Sequence, residues 1–315
     1  MFQDSKYELK IFDSKCKIAN NFFNQIDEIW LEKGETQPVS NQMKYKLFKE
    51  NKYQNFPFIA YFNNEPIGIL WVELTTQYYG SVSLFVPNEI HCNNVLKKIY
   101  DHDFFNNKMI EIIGIDSLDK YKHSCFNLGL TSNIRKRMYL WLTNIDYFDL
   151  GQHPFEFKMY TENYYDWSSE LSVRAHAISK DYEYYIEMLY PENRKLLEEK
   201  VLKGLYGNII QPASLVLYYN KKPVGFCSVV EVKCWGYERV PWVFDICIDP
   251  AFHGQGMGNI LTKKMLNKLI ELGYEVMGLA VTLTNKYAMK MYQKYGFLDL
   301  DVFYEFVNHD LSKEN

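Results

Sequence analysis

Along the second half of the chain the apolar positions switch between two periods. A nearly continuous apolar run, Trp242-Val243-Phe244-Asp245-Ile246-Cys247-Ile248, predicts a strand over residues 239–248. From Gly256 to Leu272 the spacing becomes helical, with Leu261, Met265, Leu269 and Leu272 on one face and Lys263, Lys264 and Lys268 elsewhere. Gly273 then stands where helices commonly end. A strand over 274–281 and a helix over 286–295 follow. Asn285 is placed to cap that helix, and Ala288, Met291, Tyr292 and Tyr295 form its inner stripe. Alternation of Leu298, Leu300, Val302, Tyr304 and Phe306 predicts a last strand with these five facing one way. Upstream, the pattern gives a strand over 155–160, helices over 163–177 and 192–203, and a hairpin over 217–225. Strands and helices mixed in this order predict an α/β (α+β) fold.

The hairpin has an earlier near-copy. Leu217-Tyr218-Tyr219-Asn220-Lys221-Lys222-Pro223-Val224-Gly225 matches Ala60-Tyr61-Phe62-Asn63-Asn64-Glu65-Pro66-Ile67-Gly68. Downstream, Ser81 to Pro87 resembles Phe244 to Pro250, and Asn127-Leu128-Gly129-Leu130 resembles Lys294-Tyr295-Gly296-Phe297. Three features in one order predict a duplication into halves 1–150 and 151–315, joined at the Gly- and Pro-punctuated stretch Asp149 to Pro154. The halves diverge after Pro87, where Asn88 to Val95 contains no glycine.

In the second half the strand runs through Asp249-Pro250-Ala251-Phe252 into His253-Gly254-Gln255-Gly256-Met257-Gly258-Asn259. Glycines there leave backbone N–H groups unshielded, and the following helix adds the positive end of its dipole, so the turn can cradle a pyrophosphate without lysine. A dinucleotide fold also places glycines between strand and helix. It would want its first glycine near the strand end and a carboxylate closing the next strand, whereas here Asp249-Pro250-Ala251-Phe252 intervenes first and the next strand ends in Thr282.

The rest of the pattern is Leu279 and Val281, then Asn285, Ala288, Tyr292, Gly296 and Phe297. With His253, Gly256 and Gly258 this segment resembles the GNAT superfamily of acyl-CoA-dependent N-acetyltransferases, although His253 stands where the family has Arg or Gln. The resemblance implies two tandem GNAT-like domains, each a mixed, mostly antiparallel sheet flanked by helices. The first would be degenerate, without the cofactor motif, and kept for structure, dimerisation or acceptor binding. The second would move an acetyl group from acetyl-CoA directly to an amine of a small molecule or peptide, with no metal. By the same resemblance Ile246, Cys247 and Ile248 pair with the pantetheine arm. The amides of His253, Gly254, Gln255, Gly256, Met257, Gly258 and Asn259 hold the pyrophosphate, Asn285 lies near the pantetheine, and Tyr292 is the general acid.

A base must also take a proton from the amine. Asp245, a carboxylate inside an apolar run, is the first choice, ahead of Glu231 and Glu238; a structural hydrogen bond is its other reading. Cys247 has no evident activating base and reads as a buried structural thiol. The aromatic stretches Tyr160 to Trp167 and Tyr182-Glu183-Tyr184-Tyr185 are placed to wall an acceptor pocket. Glu162, Asp166, Glu170, Asp181, Glu183 and Glu187 either favour a cationic acceptor or form a solvated face.

Composition narrows the setting. Hydrophobic residues make up 47% of 315, without an uninterrupted apolar run long enough for a membrane span. Met1 to Lys6 lacks a signal-peptide start, and the six cysteines show no paired spacing, so a reducing cytoplasmic setting is expected. With a net charge of −4 and one compact basic cluster, Arg135-Lys136-Arg137, neither nucleic acid nor membrane is expected as a partner, while a homodimer is compatible. Two rival classes remain, a non-catalytic CoA-binding sensor or scaffold and a nucleotide-dependent oxidoreductase.

Overall fold

The computed structural model describes residues 7–33, 37–49, 54–74, 79–102, 109–143, 145–179, 185 and 191–308. The chain forms two compact units, one of residues up to Asn133 together with those from Tyr304, the other from Ile134 to Phe303.

Unit one contains β1 (Tyr7–Ile11), α1 (Lys17–Glu32), α2 (Ser40–Phe48), β2 (Gln54–Phe62), β3 (Glu65–Leu74), β4 (Tyr79–Phe85), α3 (Cys92–Tyr100), β5 (Met109–Gly114) and α4 (Lys122–Asn127). The next strand, β6 (Thr131–Trp141), carries the chain into unit two. The sheet of unit one runs β1-β2-β3-β4-β5, and only β4 and β5 are parallel. Phe22, Phe23 and Ile26 of α1 pack on one face, while Val95, Leu96, Tyr121 and Cys125 cover the other.

Unit two contains β7 (Glu156–Met159), α5 (Tyr165–Ser179), α6 (Pro191–Leu202), β8 (Asn208–Ile209), β9 (Leu215–Tyr219), β10 (Lys222–Cys234), β11 (Tyr237–Ile248), α7 (Met257–Glu271), β12 (Val276–Thr282) and α8 (Lys286–Lys294). Its sheet runs β6-β12-β11-β10-β9-β7, with β8 beside β10. Leu261, Met265 and Leu269 of α7 and Tyr292 of α8 fill the core on one face. On the other, Leu171 of α5 packs with Tyr160, Phe226 and Cys247.

The units do not follow the division at residue 150. β6 pairs antiparallel with β12 from Arg135↔Thr282 to Trp141↔Val276, so it belongs to the second unit. The end of the last strand, β13 (Leu298–Asn308), pairs with β5 through Phe306↔Ile112 and completes the first unit. The Asp149–Pro154 stretch is therefore a surface segment of unit two, where Lys263 Nζ donates to the Asp149 carbonyl at 2.7 Å. An alternating strand fits either of two similar sheet edges, and its own sequence does not choose between them.

Two expected apolar faces are also corrected. Leu298, Leu300 and Val302 are 52%, 46% and 46% exposed, and only Phe306 of that stripe is fully buried. Leu272 lies beyond the last turn of α7 and is exposed, and Tyr274 takes the inward place.

The duplicated hairpins are real two-residue turns. Asn63 and Asn64 in one, and Asn220 and Lys221 in the other, all have positive φ, the requirement of a turn whose twist matches its strands. A Cβ on Gly68 would sit 2.5 Å from the Phe85 carbonyl, and one on Gly225 2.3 Å from Ile248 Cδ1 and 2.9 Å from the Cys247 carbonyl. Gly68 lets β4 close on β3, and Gly225 lets β11 close on β10. Gly225→Ala is expected to lower stability by about 1–3 kcal/mol, the usual cost of overpacking. The readout is a lower urea midpoint at unchanged slope.

Candidate active site

The site begins with an irregularity in unit two. β10 and β11 pair Ser228↔Asp245 and then Val229↔Val243, which leaves Phe244 as an extra residue, a β-bulge. The bulge turns β11 away from β12, and their parallel pairing covers only Trp242↔Gly278 and Val243↔Leu279. From Phe244 to Ile248 the strand edge lies beyond that pairing. In unit one the equivalent strands pair without interruption from Tyr79↔Met109 to Leu84↔Gly114, and β3 meets β4 with no register shift. Tyr121 is fully buried there, and its hydroxyl accepts from the Val86 amide at 2.9 Å.

At the end of β11, Asp249 accepts from the Ala251 amide at 3.0 Å, and His253 Nε2 donates to the Ile248 carbonyl at 2.9 Å. His253 thus fastens the turn. Gly254 and Gly256 both have φ of 78°, and a Cβ on either would meet nothing within 4 Å, so the space above them is open. Gly256 is the N-cap of α7 and supplies no side-chain cap. Gln255 is exposed beside it, whereas Met257 is buried and pins the helix start to the core. A Cβ on Gly258 would make only ordinary contacts with Ile248 and Met291. Asn259 Oδ1 accepts from the Tyr295 hydroxyl at 2.8 Å, which ties α7 to α8. The first turn of α7 thus presents its amides and dipole outward, a fit for an anionic group. Among the described residues no cluster has the makeup of a metal site.

Asn285 caps α8, accepting from the Ala288 amide at 3.1 Å. Tyr292 is buried, its ring centroid 5.4 Å from that of Phe297. Burial raises its hydroxyl above the ordinary tyrosine value, the negative charge of Asp245 raises it further, and Arg135 partly offsets both. Cys247 is buried, and its thiol is pushed well up by the same loss of solvent.

The surroundings of Asp245 are those of its structural reading, a hydrogen-bonded carboxylate. Its Oδ2 accepts from Arg194 Nη2 at 2.7 Å and Ser172 Oγ at 2.9 Å, and its Oδ1 lies 3.0 Å from His176 Nε2. Burial alone would raise this carboxyl, but Arg194 and then His176 outweigh it and hold it well below the usual carboxylate range. A carboxylate so held is a poor proton acceptor. Arg194, fully buried on α6, also donates from Nε to Glu198 Oε1 at 2.8 Å, and Glu198 Oε2 accepts from the Tyr160 hydroxyl at 2.8 Å.

Where β11 leaves β12 there is a cavity of about 240 Å³, with His176, Arg194, Asp245, Arg135, Tyr185 and Phe244 on its walls. Arg135 donates to the Tyr185 hydroxyl and to the Ala280 carbonyl, both at 3.1 Å. Of the aromatic stretches expected here, Tyr160 to Trp167 instead builds core, with Tyr160 stacked on Phe226 at 5.1 Å. Tyr182, Glu183, Tyr184, Asp181 and Glu187 lie outside the described residues. Asp166 pairs with Lys195 on the surface, and Glu162 and Glu170 are exposed, as a solvated face requires. Glu231 and Glu238 also stand apart from the cavity, paired with Arg239 and Lys233. In the basic cluster, Lys136 and Arg137 pair with Asp299 and Asp301.

His176 and Arg194 were not singled out from the sequence. A signal existed: Ser168, Ser172 and His176 recur every four residues, giving α5 a polar inner stripe, and Arg194 and Glu198 share that spacing on α6.

The frame is that of an α/β domain with a strand edge left open beyond a short parallel pairing and uncovered amides at a helix start. Residues 157–297 match the Acetyltransferase (GNAT) family, and the chain thus carries a GNAT acetyltransferase domain. An uncharacterized N-acetyltransferase of Methanocaldococcus jannaschii is 32% identical over 85 residues, which spans 26% of this chain and 38% of that relative. The whole chain is similar in fold to a tandem GNAT protein from the clavulanic acid biosynthesis pathway, with a TM-score of 0.56 at 13% identity, covering 96% of this chain and 98% of that one. A GCN5-related N-acetyltransferase from Sphaerobacter thermophilus gives 0.58 at 11% identity, covering 96% and 95%.

Proposed function

We propose that unit two is an acetyl-CoA-dependent N-acetyltransferase that acts on an amine by direct transfer. The observation that carries this is the bulge at Phe244, which frees the β11 edge in line with the bare amides of the α7 turn. The amides from Gly254 to Asn259 would hold a diphosphate, and the backbone of Ile246 to Ile248 would pair with the pantetheine arm. Acetyl-CoA supplies an activated thioester. The splay and its cavity bring an amine to that thioester, and orientation of this kind lowers the barrier by removing entropy in advance. Tyr292, which keeps its proton, gives it to the departing sulfur. The proton shed by the nitrogen as the C–N bond forms restores the Tyr292 hydroxyl.

Unit one is then a degenerate copy. Its β4 and β5 stay paired along their length, and the Tyr121 hydroxyl takes up the amide that follows β4. A cytoplasmic setting belongs to the same reading, on the unpaired spacing of the six cysteines in the sequence.

Gly256→Val tests the cradle directly. Valine at φ of 78° is strained and covers an amide, so CoA affinity by calorimetry is expected to fall at least about tenfold, the effect of about 1.4 kcal/mol. Unchanged affinity in a folded variant would remove the turn from the site. The immobilised carboxylate of Asp245 favours a second reading, a CoA-binding module that does not turn over. Thiol release from acetyl-CoA in the presence of amines separates the two.

A further inference from the structure

We infer that the acceptor is an amine with an apolar body, which lodges in a second groove of unit two while its nitrogen reaches the splay; the inference rests on the acetyltransferase reading of the same site. The groove has a volume of about 330 Å³, and among the described residues its walls are Tyr206, Val230, Val232, Cys234, Trp242 and Phe244. That size falls within the range of about 300–1,000 Å³ usual for small-molecule sites. None of the six side chains carries a formal charge at neutral pH. An apolar occupant gains by leaving water, whereas a charged one would give up its hydration for nothing.

Continuity says what the occupant is. Trp242 and Phe244 also wall the 240 Å³ cavity where β11 leaves β12, so the groove continues from the place where the amine would meet the thioester. Phe244 is the extra residue of the bulge. The residue that frees the strand edge thus also supplies a wall to both spaces. Along β11 the order runs from Trp242 and Phe244 to Ile246–Ile248, where the pantetheine arm would pair, and on to the turn that would hold the diphosphate. An acetyl group adds only two carbons beyond the sulfur. The donor therefore leaves the groove unfilled, and the acceptor is its occupant.

The walls are braced. Trp235 and Gly236 make the turn between Cys234 and Tyr237 with φ of 54° and 78°, and a bulky residue in the left-handed region is rare enough to need a reason. Here the turn lays Trp235 against Trp242, with ring centroids 5.6 Å apart. Both rings lie over Gly278 of β12, where a Cβ would sit 2.6 Å from Trp235 Cη2 and 2.6 Å from Trp242 Cζ3. Phe244 is braced in turn by Tyr206, its ring centroid 5.2 Å away. Rings already fixed in place cost little further ordering when an acceptor binds.

The test varies the body of the acceptor and the groove together. Thiol release from acetyl-CoA by the full-length protein is followed with ethylamine, hexylamine, 2-phenylethylamine and 1,4-diaminobutane, each rate referred to the uncharged amine present. For hexylamine and 2-phenylethylamine kcat/KM is expected to exceed that of the other two at least about tenfold, the low end of what one methylene in an apolar pocket provides. Val232→Glu puts a carboxylate into the groove from a half-buried position, and Tyr206→Ala takes a ring from its rim, where the side chain is 43% exposed. Both variants are expected to stay folded by circular dichroism and to bind CoA as the parent does. Their KM for 2-phenylethylamine is expected to rise at least about fivefold with a smaller change in kcat, because the groove holds the body equally before and during transfer. A parent that does not distinguish the four amines, or that prefers 1,4-diaminobutane, overturns the inference, as does a preference that survives both substitutions. Val232→Glu abolishing use of hexanoyl-CoA while the amine preference stays would give the groove to the donor and overturn it too. Each of these results leaves the acetyltransferase reading intact. A parent that releases no thiol with any acceptor overturns both.

Discussion

Replacing Arg194 with methionine is expected to destabilise the protein by about 3–5 kcal/mol, the cost of removing one partner from a buried ion pair. Arg194 is 1% exposed and lies between two carboxylates, Glu198 and Asp245, which are themselves buried. Methionine fills much of the volume but leaves two negative charges out of water with no guanidinium between them. Chemical denaturation reads the loss directly. The same variant made together with Glu198→Gln and Asp245→Asn is expected to recover much of it, because most of the penalty is charge stranded in a medium that does not solvate it. The loss also depends on pH in one direction. Asp245 has a folded pKa below its ordinary value of 3.8, so its stabilisation is fully present above about pH 4 and is given up as pH falls through the folded value. The gap between parent and Arg194→Met should therefore narrow as pH is lowered from 4 toward 2. A constant gap across that range, or one below about 1 kcal/mol, would show that the cluster does not hold the fold in this way.

How far the sequence reaches can be argued from these residues. The Gly254–Asn259 turn, the helix it opens and the Asn285 cap were all legible, because each depends on local backbone geometry that glycine or an N-cap side chain signals within a few positions. The hairpin repeat was legible for the same reason, since both copies need positive φ at two successive residues. Three things were not legible. The exchange of β6 and β13 depends on which of two similar edges an alternating strand meets, and alternation is the same for both. The bulge at Phe244 is a mismatch between two strands and is a property of neither alone. The setting of Asp245 is decided by residues 51 and 69 positions away in the chain, Arg194 and His176. An unpaired carboxylate in an apolar run reads as a base, and the same carboxylate against a guanidinium is an anchor.

Tyr292→Phe is expected to reduce kcat about 10²–10⁴-fold, equivalent to about 3–5 kcal/mol of barrier, while leaving CoA affinity unchanged. The substitution removes one oxygen and keeps the ring that packs on Phe297, so stability should change little. An acid is useful only if it holds its proton until the moment of transfer and the acceptor is basic enough to take it. Tyr292 meets the first condition because burial and the charge of Asp245 raise its hydroxyl. A weak acid of this kind would be a poor donor to a thiolate in water, where a thiol has a pKa of about 8.5. Inside this unit the comparison changes. The neighbouring buried thiol of Cys227 is pushed up to about 12 by the same burial, and Cys247 is also pushed well up. A thiolate released in the splay loses solvation for the same reason, so its basicity rises along with that of Tyr292 and the transfer stays matched. The effect should therefore shrink when the leaving thiol is made more acidic, as in an aryl thioester of similar length. A kcat for Tyr292→Phe within about threefold of the parent's, less than about 1 kcal/mol of barrier, with the natural thioester and chemistry limiting, would place the donated proton on water.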